Sequence, residues 1–159
     1  MDKLNGIHTS LCYIENNNAY LMMHRIKKIN DLNHDKWVGI GGKFEQNETP
    51  FDCALREIKE ETGVIPLNLK YRGIVTFISD IYGKEYMHLF TANGYKGNIN
   101  YSCNEGVLEW VKKTELNNLP LWQGDKIFFN LLETENNFFY LTLNYQGDNL
   151  LSYEIKTSP

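Results

Sequence analysis

The sequence predicts an α/β domain in which helices pack against a mixed β-sheet, and three observations lead there. The chain has 159 residues, 42% hydrophobic and 23% charged, which suffices for one domain with a substantial core and no cross-links. β-rich runs and two amphipathic helical segments follow one another without the regular βα alternation of a doubly wound sheet. No internal repeat, low-complexity block or Pro/Gly linker interrupts them, so residues 1–159 read as a single domain.

Taken in order, "GIHTSLCYIE" and "AYLMMHRIKK" alternate in the manner of strands and flank an Asn16–Asn18 turn, predicting a hairpin. "NDLNHDK" is a polar loop, and "WVGIGGKFE" is a short apolar strand running into glycines. A helix is predicted from about 50 to 62. Thr49 serves as its N-cap, Asp52 as the partner three residues on, Pro50 suits the first turn, and Gly63 supplies a left-handed C-cap. "LKYRGIVTFISDI" and "EYMHLFTANGYK" are further strands around a "YGK" turn, and "GVLEWVKK" is another. "TELNNLP" reads as a turn of helix and "WQGDKIFFNLLET" as a second amphipathic helix. The tail closes as a hairpin turning near Gly147 and Asp148.

Composition limits the function. The net charge of −4 speaks against binding nucleic-acid polymers, which calls for a basic patch. It leaves room for a small anionic substrate screened by cations. No apolar run approaches the ~20 residues of a membrane span, so no membrane association is expected. "MDKLNGIHTS" does not resemble a signal peptide. Cys12, Cys53 and Cys103 are odd in number and widely spaced, which argues against a disulfide framework or thiolate zinc site. A cytoplasmic setting is the expectation, and oligomeric state is left open.

The chemistry concentrates in "REIKEETG", residues 56–63. Glu57, Glu60 and Glu61 fall at i, i+3 and i+4 and share a helix face, while Ala54 and Ile58 point elsewhere and can bury. Like charges at those spacings destabilise a helix by about 0.2–0.5 kcal/mol per pair, and near its C-terminus the helix dipole adds to the penalty. A solvated acidic face is one reading. A divalent cation that offsets the repulsion is the other, and clustered carboxylate oxygens suit Mg²⁺ or Mn²⁺ better than zinc. Gly41 and Gly42 place a side-chain-free turn just upstream, and Glu48 can pair with Arg56 to fix that loop on the helix.

From Gly42 to Val64 the spacing is G-x5-E-x7-R-E-I-x-E-E-x-G-V, through Glu48, Arg56, Glu57, Ile58, Glu60, Glu61 and Gly63. It resembles the signature box of the Nudix hydrolase family and is complete at each defining position. The resemblance implies an α/β/α sandwich around a mixed sheet and Mg²⁺-dependent hydrolysis of a nucleoside diphosphate linked to another group. It makes Glu60 and Glu61 the first choices as metal ligands, with Glu57 a ligand through water or the base that orients the attacking water. The Gly42 carbonyl is a further implied ligand, and Glu48 and Arg56 are implied braces. Glu105, five residues before Trp110, sits where relatives place an additional metal ligand or general base; a solvated loop acid is the alternative. Arg25 on the second strand matches a phosphate-contacting arginine, and Lys43 follows the glycine turn; each could equally be a surface cation.

"LPLWQGDKIFFNLL" is similar to the corresponding segment of Nudix enzymes that cleave purine nucleoside triphosphates, oxidised ones such as 8-oxo-dGTP included, to monophosphate and pyrophosphate. That implies Trp122 stacking on the base and Asp125 hydrogen-bonding its edge; the alternative is that Trp122 packs on the sheet. Two positions depart from that narrower pattern. Val38 stands where some such enzymes carry a base-reading asparagine, and Gly124 stands where they carry a second acid. Hydrolysis of nucleotide sugars, dinucleoside polyphosphates or dinucleotide cofactors is the alternative activity, and a non-catalytic nucleotide-sensing domain is a third.

Overall fold

The hairpin that opens the fold turns through Asn17 and Asn18, both at positive φ (51° and 61°). This is the left-handed pair that a tight hairpin requires and asparagine tolerates. The computed structural model describes residues 6–157. In it β1 (Ile7–Asn16) and β2 (Ala19–His24) form the hairpin, followed by β3 (Trp37–Val38), α1 (Pro50–Thr62), β4 (Ile65–Pro66), β5 (Lys70–Ser79) and β6 (Gly83–Asn93). β7 (Tyr95–Lys96), β8 (Val107–Lys112), a 3-10 helix at Lys113–Asn118, α2 (Asp125–Thr134), β9 (Phe139–Gln146) and β10 (Asn149–Thr157) complete it. Eight strands make one mixed sheet in the order β10-β9-β5-β6-β1-β2-β3, with β8 also paired to β2. β1 runs parallel to β6 and β5 parallel to β9, while the remaining pairs of the sheet are antiparallel. β4 and β7 form a separate two-stranded ribbon.

Period-2 alternation sends the two faces of β1 to different cores. Cys12 and Ile14 join Leu21, Met23 and Phe90 under α1, which buries Cys53, Ala54 and Ile58. Tyr13 joins Tyr20, Met22, Leu89 and Leu141 under α2, which buries Phe128, Phe129, Leu131 and Leu132. The sheet is thus sandwiched between one helix on each face, as anticipated. α1 has the expected limits: Thr49 and Asp52 form a reciprocal capping box, and Gly63 at φ 81° donates its N–H to the Lys59 carbonyl.

Some expected boundaries move. β2 ends at His24, because the chain then folds back on itself: the Arg25 amide donates to the Lys36 carbonyl (3.0 Å) and the Asp35 amide to the Arg25 carbonyl. Arg25 therefore lies just beyond the strand. The stretch 37–45 pairs regularly only at Trp37 and Val38. Beyond them it touches β1 through single bridges at Ile40 and Lys43, since the glycines bend it away from the sheet. The β5–β6 turn falls at residues 80–82, two residues earlier than the "YGK" signal, and Gly83 already begins β6. Trp122 precedes α2, whose first residue is Asp125.

Candidate active site

A cleft of about 710 Å³ opens between the glycine turn, α1 and one face of the sheet. Its walls bring together Arg25, Gly41, Gly42, Lys43, Glu57, Glu61, Glu105, Trp122 and Asp125 from five separate stretches of chain. The close passage of the glycine turn over β1 explains its composition. A Cβ on Gly41 would lie 1.8 Å from the Ser10 carbonyl oxygen, and one on Gly42 would lie 2.6 Å from the Glu57 carboxylate.

The three helix glutamates have different surroundings. Glu61 accepts a hydrogen bond from the Gly41 amide (3.0 Å) and faces the cleft. Burial pushes its carboxyl up to about 8, and the charges of Glu57 and Glu105 push the same way. Glu57 also faces the cleft; burial raises its carboxyl, opposed by Arg56, whose Nη1 donates to Oε1 at 2.7 Å. Glu60 does not line the cleft. Its side chain is 57% exposed and accepts from Arg56 Nη1 at 3.2 Å. At 100° per residue, Glu57 and Glu61 fall on the stripe that faces the cleft and Glu60, expected beside them as a ligand, lies to its outer side.

Arg56 does more than brace. Its Nε and Nη2 donate to both oxygens of Glu48 (2.7 and 2.9 Å), Nη2 also donates to the Lys43 carbonyl, and Nη1 reaches Glu57 and Glu60. The fork holds the Glu48 carboxyl at about 2. Part of the repulsion expected to call for a cation is therefore met by this guanidinium. It does not reach Glu61, where the Gly41 amide and the charge of Arg25 only partly offset burial and the charges of Glu57 and Glu105.

The Gly42 carbonyl, an expected ligand, turns inward. It accepts from the Ser10 amide at 2.9 Å and from the Cys53 thiol at 3.4 Å, so it fastens the glycine turn to β1 and α1. Glu105, on the loop before β8, accepts from Arg25 Nη1 (3.2 Å) and lies 3.8 Å from Lys28 Nζ. Arg25 Nε donates to Asp31 at 2.7 Å, so this guanidinium, expected to meet phosphate, is strapped between two carboxylates at the cleft wall.

At the other end of the cleft Trp122 is only 8% exposed. Its Nε1 donates to Asn33 Oδ1 (2.7 Å), the Lys36 ammonium sits 4.9 Å over the ring, and Phe77 and Tyr145 meet it edge-on at 5.3 Å. It is packed as a core residue with one side toward the cleft. Asp125 is equally buried, and desolvation pushes its carboxyl up to about 8 against the pull of the Trp122 backbone and Lys36. The absent acid at Gly124 has a packing cause: a Cβ there would lie 2.5 Å from Leu143 and 2.9 Å from the Tyr145 hydroxyl. Sequence reasoning missed Asn33 and Glu85, both in the cleft walls. Asn33 lay hidden in a polar loop, and Glu85 reads as one more charged residue of an alternating strand.

Among the described residues no three Asp, Glu, His or Cys side chains stand close enough to form a complete metal cage. The carboxylates of Glu57 and Glu61 that face the cleft are an all-oxygen donor set, which suits a hard divalent cation.

The model of the NUDIX domain family matches residues 6–132. The chain belongs to the Nudix hydrolase family. An uncharacterized Nudix hydrolase of Bacillus subtilis, YvcI, is 32% identical over 124 residues, 75% of this chain and 78% of that one. The oxidized purine nucleoside triphosphate hydrolase of Mus musculus is 30% identical over 123 residues, 76% of this chain and 78% of its own. In three dimensions this Nudix hydrolase is similar to the MutT protein of Bacillus halodurans. The TM-score is 0.83 at 29% identity, covering 96% of this chain and 99% of that one. It is therefore a MutT-like pyrophosphohydrolase of a family that works with divalent metal ions. No helix among the described residues is long and apolar enough to cross a membrane.

Proposed function

We propose that this Nudix hydrolase cleaves a nucleoside triphosphate to the monophosphate and pyrophosphate, with Mg²⁺ as its cofactor and Mn²⁺ able to replace it. The observation that carries this reading is the polarity of the cleft, with buried carboxylates at one end and an aromatic wall at the other, in a volume of about 710 Å³. Pockets of this size hold molecules of nucleotide dimensions.

Glu57 and Glu61 hold the cation in this reading. When bound, it supplies charge neutralisation at the phosphate oxygens and acidifies the attacking water. Glu105 accepts the proton of that water; its loop position and 33% exposed side chain leave room for a water beside it. Arg25 lies next to Glu105 and holds its carboxylate in place, with the remaining guanidinium N–H groups turned to substrate phosphate. Lys43, whose charge also reaches Glu85, adds a second cation to the cleft. Glu48 and Arg56 lock the glycine turn against α1, so the carboxylates stay where the reaction needs them.

The base lies toward Phe77, Trp122 and Asp125. Oxidised purines such as 8-oxo-dGTP are among the candidate substrates, because the mouse relative is a hydrolase of oxidized purine nucleoside triphosphates. The missing groups at Val38 and Gly124 set this pocket apart from that narrower pattern. Incubation with Mg²⁺ and a nucleotide panel, with products identified by phosphorus NMR, tests the proposal. Pyrophosphate and monophosphate from a triphosphate are expected. Two monophosphates from a sugar nucleotide or dinucleotide, with triphosphates untouched, would refute the substrate class.

A further inference from the structure

Across the sheet, β6 places Glu85 opposite Ile7 of β1 and Phe77 of β5, and Phe77 in turn lies opposite Leu143 of β9. All four line the cleft, and Met87, two residues along β6, lines it as well. Glu85 is thus a carboxylate set into an otherwise apolar row of the floor. Its position beside Phe77, whose ring is 5.3 Å from Trp122, puts it at the aromatic end of the cleft.

Among the described residues the hydrogen bond the structure gives this side chain is from the Thr9 hydroxyl to Oε2, at 2.7 Å. Lys43 acts on it electrostatically, and burial pushes its carboxyl above the ordinary range. An ionised carboxylate has about four acceptor sites, and a desolvated one with a single donor is costly unless something else donates to it. The known work of the site does not use Glu85: it is neither on α1 nor on the Glu105 loop. An acceptor of this kind in the floor of a base pocket selects for N–H groups. Ring N–H groups and exocyclic amines are both donors, but the amine projects furthest from the ring and can reach a carboxylate in the floor most directly.

We propose that Glu85 is a specificity-determining residue that accepts a hydrogen bond from the exocyclic amino group of the substrate base, so that the enzyme prefers amino-bearing bases. The inference rests on the nucleotide reading given above. It also accounts for the departures at Val38 and Gly124, since the hydrogen-bonding group they lack is supplied from β6.

The test compares kcat/KM within pairs that differ only in that amine: GTP with ITP, and ATP with purine riboside triphosphate. The wild-type enzyme is expected to prefer the amino-bearing member of at least one pair by about tenfold or more, the scale of a well-made base contact. In Glu85→Met and Glu85→Gln that preference is expected to collapse to within about threefold. The methionine variant keeps an apolar floor, and the glutamine variant keeps an acceptor for Thr9 should the first fold poorly. Affinities of the corresponding monophosphates, measured calorimetrically without metal, give a second readout independent of turnover. Absence of pyrophosphate release from any triphosphate would sink the hydrolysis reading while the monophosphate pairs still test Glu85. A wild-type enzyme with no preference in any pair, or variants that retain it, would overturn the role of Glu85.

Discussion

Asp125→Asn should make this enzyme more stable at alkaline pH and leave it nearly unchanged at acid pH. Asp125 is 8% exposed at the first position of α2. A helix N-terminus favours a negative charge, but burial outweighs it and lifts the carboxyl from its ordinary 3.8 to about 8. The folded protein therefore keeps a proton that the unfolded chain releases above its own, ordinary value. Stability is fully present below that value and falls as pH rises from about 4 to about 8. Above that window the loss is complete. At about 1.4 kcal/mol per pH unit, a window of about four units sets a ceiling of about 6 kcal/mol.

Realising only a third of that, about 2 kcal/mol, would still shift Tm by about 4–8 °C in a domain of this size. The assay is differential scanning calorimetry of wild type and Asp125→Asn at half-unit steps from pH 5 to pH 9. Glu61, whose carboxyl also titrates near 8, contributes equally to both proteins and cancels in the difference. The variant's advantage should be small at pH 5, grow steadily and level off above pH 8. A Tm difference that stays constant across the range would refute the reasoning, because it would reflect packing alone. In the proposed base pocket a carboxyl raised in this way would offer a donor to the base edge, complementing the acceptor proposed at Glu85.

The remaining predictions concern the acidic end. Glu61→Gln should reduce kcat by about a hundredfold or more with the fold intact, whereas Glu60→Gln, at an exposed position, should lose about tenfold or less; equal losses in steady-state assays would restore Glu60 to the cation site. Gly42→Ala should lower kcat/KM by at least about tenfold, because its Cβ would lie 2.6 Å from the Glu57 carboxylate; wild-type kinetics in the variant would show that Glu57 moves aside freely. Arg56→Lys should lower both Tm and activity, since one ammonium cannot reproduce the fork that holds Glu48, Glu57 and the Lys43 carbonyl together. Preserved Tm and kcat in that variant would show that the fork does not organise the turn.

Legibility from sequence followed the range of the forces involved. α1 could be placed to the residue because its limits are local: the Thr49–Asp52 capping box and the left-handed Gly63 act within four positions. The Asn17–Asn18 hairpin was legible for the same reason. Periodicity also separated Ala54 and Ile58 from the glutamates of α1. It put all three glutamates on one face; that Glu57 and Glu61 line the cleft while Glu60 pairs outward with Arg56 depends on where the glycine turn crosses the helix. The direction of the Gly42 carbonyl was not legible on similar grounds, since it is set by Ser10, thirty-two positions away in β1.

The base end of the cleft was the least legible because a local pattern marks only Trp122 and Asp125. Glu85 has the alternation of any solvent-facing strand residue, and only the parallel pairing of β1 with β6 turns that face into a floor covered by the glycine turn and the loop before β3. Asn33 reaches Trp122 through a loop whose fold depends on the Arg25–Asp31 pair. Hence the acidic helix, which relies on contacts a few residues apart, announces the reaction. The proposed substrate selection rests on Glu85, whose partner Thr9 is seventy-six positions away, so that only the folded sheet determines their meeting. The same separation puts the proposed base pocket on other elements than the glutamate helix, so Glu85 on β6 can be exchanged while Glu57, Glu61 and the Arg56 fork stay in place.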